Sequence, residues 1–156
     1  MKTHTINQLF SLLFLTVFSV YGIAQTKSSP AFAKGADVGW LPQMEATGYQ
    51  FYDSDGSPKD CLQLLKDRGM NTIRLRVFVN PSDDKASGHC SKDETVTMAL
   101  RAQKMGMRIM IDFHYSDSWA DPGKQTKPAA WAGMDLAGLK TALAAHTVEV
   151  LTALKN

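Results

Sequence analysis

Three short apolar stretches rich in β-branched residues recur along this chain, and a helix-forming segment follows each of them. Residues 32–38, 71–79 (NTIRLRVFV) and 107–114 (MRIMIDFH) read as strands. Between the first two, Ser57-Pro58-Lys59-Asp60 has the form of a helix start, with Ser as N-cap and Pro at the first helical position. The apolar residues Cys61, Leu62, Leu64 and Leu65 follow, and Gly69 supplies the stop. Ser91-Lys92-Asp93-Glu94 is a capping box opening a second helix that ends at Gly106. A third helix is predicted from about Leu136 onward, with Leu139, Leu143, Val150 and Leu154 at helical spacing. Strands joined by helices must run parallel, because the connection returns each strand to the same end of the sheet. The candidates are a doubly wound sheet and a (β/α)8 barrel. No glycine-rich phosphate loop follows any strand, which counts against the first.

Ahead of this series lies a different kind of sequence. Leu9 to Tyr21 is almost wholly apolar, a basic residue (Lys2) precedes it, and Gly22-Ile23-Ala24 offers small residues for cleavage. The run is about 13 residues, against the roughly 20 a helix needs to cross a bilayer. Residues 1–24 are therefore expected to be a signal peptide and 25–31 a linker. The mature chain is expected to be secreted or periplasmic, with no membrane association after cleavage. The net charge of +2 and the absence of Lys/Arg clusters argue against nucleic acid as a partner. In an oxidising compartment Cys61 and Cys90 are a candidate disulfide; the alternative is that Cys61 packs as a small hydrophobe on its helix.

The strand ends carry the chemistry. Alternation puts Ile73, Leu75 and Val77 on one face of the second strand and Arg74 and Arg76 on the other. In the third strand Met110, Asp112 and His114 share the face opposite Ile109, Ile111 and Phe113. Charges on an inward face must be paired or functional. Two readings stay open: a structural Arg–Asp–His network, and a polar site at the C-terminal ends of the strands. The Asp-x-His spacing would also suit a metal-dependent barrel hydrolase. Trp40, Trp119 and Trp131 fall in loops, either as hydrophobic anchors or as stacking platforms for sugar rings, with Tyr115, Asp117 and Asp121 nearby. A non-catalytic carbohydrate-binding domain is thus another reading. The acidic stretch 52–56 lacks the length and terminal Glu of a calcium loop and reads as a polar turn.

The segments KGADVGWLPQMEATG, GMNTIRLRVFVNP and IDFHYSDSWADPGKQTKPAAW resemble the endo-β-1,4-galactanases of glycoside hydrolase family 53, over essentially all of 32–156. The resemblance implies an α/β fold, a (β/α)8 TIM barrel of which this chain holds about the first three units. It implies a secreted, monomeric enzyme that cleaves β-1,4-galactan of pectic type I arabinogalactan by a retaining two-glutamate mechanism. Both glutamates are expected at the ends of the fourth and seventh strands, so this chain is expected to be an N-terminal fragment, inactive alone. By resemblance Arg74, Asp112 and His114 support the site, Arg74 beside the nucleophile. Asp37, Trp40, Asp117 and Trp119 fall at positions of the substrate cleft. No cofactor or metal is expected among these residues; any calcium would belong to the part of the barrel beyond them.

Overall fold

The three predicted strands lie side by side in the order β1–β2–β3, all parallel. The structure is a computed structural model that describes residues 32–82 and 89–155; the expected leader and linker fall outside the described residues. Residues from Ala33 onward form one unit. β1 is Gly35–Asp37, β2 is Thr72–Val77 and β3 is Arg108–Phe113. Helices α1 (Leu41–Ala46) and α2 (Cys61–Asp67) follow β1, α3 (Lys92–Lys104) follows β2, and α4 (Leu136–Lys155) follows β3 after a 3-10 turn at Ala129–Trp131.

Alternation along β2 sets the layers. Ile73, Leu75 and Val77 are fully buried, and Ile73 and Leu75 join a core that includes Leu41, Leu62, Met98, Ala99, Ala102 and Met107. Each large side chain removed from water in this way contributes about 1.5–3 kcal/mol. Ala99 and Ala102 give α3 a low-relief face against the strand. On β3, by contrast, Ile109 and Met110 remain exposed.

The helix ends follow local chemistry, with one revision. Ser91 caps α3 through its hydroxyl, which accepts from the Glu94 amide, while the Glu94 carboxylate accepts from the Ser91 amide at 2.8 Å. Burial pushes the Glu94 carboxyl up, yet the Ser91 amide and His89 outweigh it and hold the group below its ordinary range. Gly69 and Gly106 end α2 and α3 at φ of 83° and 68°, a left-handed turn that favours glycine. The start of α2 differs from the expectation. Pro58 forms an isolated bridge with Tyr52, so the chain is still extended there. The true N-cap is Asp60, whose carboxylate accepts from the Gln63 amide at 2.9 Å. Two cap patterns compete within four residues, and the later one wins because the Tyr52–Pro58 bridge holds the earlier one extended.

α1 was not predicted. Arg101 of α3 ties it down, donating to both Glu45 oxygens at 2.7 and 2.8 Å and also to Asp60. On α4 the expected stripe is partial: Val150 is fully buried, Leu139 and Leu154 half-buried, and Leu143 exposed.

Of the two readings left open for the cysteines, the disulfide does not form: Cys61 and Cys90 are both thiols, and Cys61 packs against the core as a small hydrophobe. They occupy different surroundings. Cys61 has Asp60, Glu45 and Arg101 for charged neighbours, and burial pushes its thiol up. Cys90 sits just before the start of α3, near Arg76, Glu94 and Asp37, with Sγ 3.1 Å from the Gly39 carbonyl. Arg101 is three turns along α3 from that point, so the two sulfurs are held apart by the length of the helix.

Candidate active site

The polar residues of the inward face converge at the C-terminal ends of the strands, where a parallel β/α sheet keeps its chemistry. Arg74 sits in the middle strand and reaches both neighbours. Its Nη1 donates to Asp37 Oδ2 on β1 at 2.7 Å, and its Nη2 donates to Asp112 Oδ2 on β3 at 2.5 Å. Asp112 Oδ2 also lies 2.9 Å from His114 Nε2. The Ala120 amide donates to His114 Nδ1 at 3.0 Å, so Nδ1 carries no hydrogen and Nε2 is left to donate to Asp112. The ring is thereby fixed in one orientation. With one nitrogen protonated and the other accepting an amide hydrogen, neither lone pair is open, which speaks against the metal-dependent reading. No cluster of three or more His, Cys, Asp or Glu suited to a metal occurs among the described residues.

Arg76 extends this network in a direction the sequence did not reveal. It is almost fully buried, its Nε lies 3.4 Å from Asp37 Oδ1, and its guanidinium carbon stands 4.3 Å from the ring centroid of Trp119. Trp119 also meets His114 edge-on, with centroids 5.5 Å apart. Trp119 is 45% exposed although a cation covers one face of its ring. Beside it His114, Tyr115, Ala120, Asp121, Gln125 and Lys127 line a cavity of about 470 Å³. Trp40 is equally exposed, and its Nε1 donates to Gln43 Oε1 at 2.5 Å.

Two expected residues play structural parts. Asp117 accepts the Asn80 amide on one oxygen (3.0 Å) and the Ala129 amide on the other (2.8 Å). It staples the loop after β2 to the 3-10 turn, and each oxygen is already engaged by backbone. Trp131 is buried against Tyr115 and His146, which settles it as an anchor.

Residues 33–156 match the family profile of Glycosyl hydrolase family 53. The chain belongs to this family. It is 38% identical over 124 residues to the endo-beta-1,4-galactanase of Bacillus subtilis (strain 168), covering 77% of this chain and 29% of that protein. It is 36% identical over 123 residues to the arabinogalactan endo-beta-1,4-galactanase of Thermothelomyces thermophilus, covering 79% of this chain and 36% of that one. Among solved structures, the family 53 catalytic domain of Ignisphaera aggregans superposes with a TM-score of 0.75 at 36% identity, over 83% of this chain and 37% of that domain. The chain thus spans about a third of the length of the relatives it matches. Its three β/α units are part of a (β/α)8 barrel.

Proposed function

We propose that this chain supplies the N-terminal third of an exported endo-β-1,4-galactanase and with it one wall of the galactan cleft. The observation that carries the reading is the half-exposed Trp119, held beside a polar cavity at the strand ends by the same network that fixes Arg74, Asp112 and His114. An indole face with carboxylate, amide and hydroxyl groups around it suits a neutral, hydroxyl-rich ring. In a retaining mechanism two carboxyl groups work about 5–5.5 Å apart, one as acid/base and one as nucleophile. By the family resemblance Arg74 would stand beside the nucleophile carboxylate and stabilise it by charge.

The chain on its own binds and does not cleave. Its glutamates are Glu45, Glu94 and Glu149. Glu45 is gripped by Arg101, Glu94 closes the α3 cap, and Glu149 pairs with Lys92 at 2.5 Å. None of these stands beside the Arg74 network, and the family resemblance implies that the catalytic pair comes from strands four and seven of the complete barrel. No helix among the described residues is long and apolar enough to cross a membrane.

The test is to incubate the purified 156-residue chain with β-1,4-galactan and assay reducing ends, and in parallel to run it through galactan-containing gels. Retardation without new reducing ends is the expected result. Release of oligosaccharides overturns the division of labour, and unretarded migration overturns the substrate.

A further inference from the structure

Trp119 poses a mechanical problem. It lies in an irregular loop and is half exposed, so nothing in the regular backbone fixes its plane. A stacking platform is useful only if that plane is fixed, because the tilt of the indole sets the tilt of the sugar on it. Two contacts supply the restraint. His114 packs against the ring with 62° between planes, and the Arg76 guanidinium covers one face.

We propose that Arg76 is a positioning residue that sets the plane of Trp119 as the sugar-stacking surface of the cleft; this rests on the galactan reading above. The geometry shows why the residue is an arginine. The guanidinium is flat and stacks on an aromatic face as an ammonium cannot. Arg76 is held by the burial of its stem, by a 3.4 Å ion pair with Asp37 in which Nε makes no hydrogen bond, and by its carbonyl, which accepts from the Thr95 hydroxyl at 3.1 Å and anchors this point of β2 to α3. Asp37 is shared, since its second oxygen takes Arg74. The platform and the Arg74 network are therefore referenced to one carboxylate on β1.

Gly39 belongs to the same device. A Cβ built there would meet Arg76 Nε at 3.0 Å and Arg76 backbone N at 3.1 Å. Glycine leaves room for the arginine stem to pass close beneath the loop. Gly39→Ala would thus shift Arg76 by a few tenths of an ångström against the indole while leaving its charge in the protein.

The chain has three tryptophans, so 5-fluorotryptophan labelling gives three fluorine resonances, with Trp119 assigned by Trp119→Phe. The full chain is compared with Arg76→Gln, Arg76→Lys and Gly39→Ala, each titrated with β-1,4-galactotetraose. The expected result is a displaced Trp119 resonance in all three, with buried Trp131 unmoved as the report of a native fold. Affinity should fall roughly 5- to 30-fold in Arg76→Gln, the range a desolvated cation–aromatic contact spans, with partial recovery in Arg76→Lys. An unmoved Trp119 resonance in the variants overturns the inference and leaves the galactan reading standing. So does a moved resonance with unchanged affinity. A wild-type chain that binds no tetraose overturns the galactan reading, and the platform role with it, even where the variants move Trp119.

Discussion

Gly35 offers the sharpest test of how the fold positions the site. It opens β1 beside Thr72 of β2, and a Cβ built on it would sit 2.5 Å from the Thr72 carbonyl oxygen. Real Cβ atoms essentially never approach closer than 3.0 Å, so the strands must part by at least 3.0 − 2.5 = 0.5 Å. The obstacle is backbone and cannot rotate away. The Thr72 amide bonds the Lys34 carbonyl at 3.1 Å and the Asn71 amide bonds it at 2.9 Å. Stretched by half an ångström, the first bond passes the hydrogen-bond limit and the second reaches its edge. At about 1 kcal/mol net for each bond, less a few tenths regained from the stiffer unfolded chain, Gly35→Ala should cost roughly 1–2 kcal/mol. Urea unfolding followed by circular dichroism measures this directly. Because Asp37 rides on the same three-residue strand, the variant should also weaken galactotetraose binding. A Gly35→Ala chain that unfolds within ~0.3 kcal/mol of the parent, far below the cost of one lost bond, would refute the argument that this contact constrains β1.

Three other outcomes are expected. His146 is buried among Phe113, Tyr115 and Trp131, and its Nε2 has no hydrogen-bond partner among the described residues; burial lowers its pKa, with Glu149 opposing and Lys92 adding to the shift. The unfolded chain then binds the proton more readily, so stability present above about pH 6.5 is lost as pH falls below it, and thermal melts of His146→Phe should lack that step. Replacing Arg101 by Met should lower stability by about 1–2 kcal/mol in chemical denaturation, since Glu45 and Asp60 lose a partly buried shared partner; equal midpoints would show the network to be solvated display. Reductant should leave the melting temperature unchanged, and a thiol reagent should titrate both Cys61 and Cys90 after unfolding without reduction; a reductant-dependent melt would restore the disulfide.

What the sequence disclosed and what it withheld divide along contact range. The two faces of β2 were legible because alternation is a local rule, and the Ser91–Glu94 cap because its partners are three residues apart. The convergence of Arg74, Asp112 and His114 followed from the same alternation applied to neighbouring strands. The start of α2 was misplaced because Ser57-Pro58 and Asp60 carry equally good cap signals, and the bridge that decides between them is tertiary. Asp117 has a polar loop's composition, yet its partners, Asn80 and Ala129, are visible only once the loops meet. The pairing of Arg76 with Trp119 joins residues from different units, and its one advance sign was that Arg76 shares the face of Arg74.

The reach of Arg74 across three strands also bears on how the sheet finds its alignment. A parallel sheet patterned with period two has a built-in ambiguity: sliding a strand by two residues keeps every apolar side chain on the buried face. Such a slide moves each side chain about 6.6 Å along the strand. Asp37 stands directly opposite Arg74 in the register, so a slide of β1 by two residues separates their 2.7 Å bridge. The ion pair at the strand ends is therefore also a vernier, picking one alignment of β1 on β2 from a set that burial alone would leave degenerate.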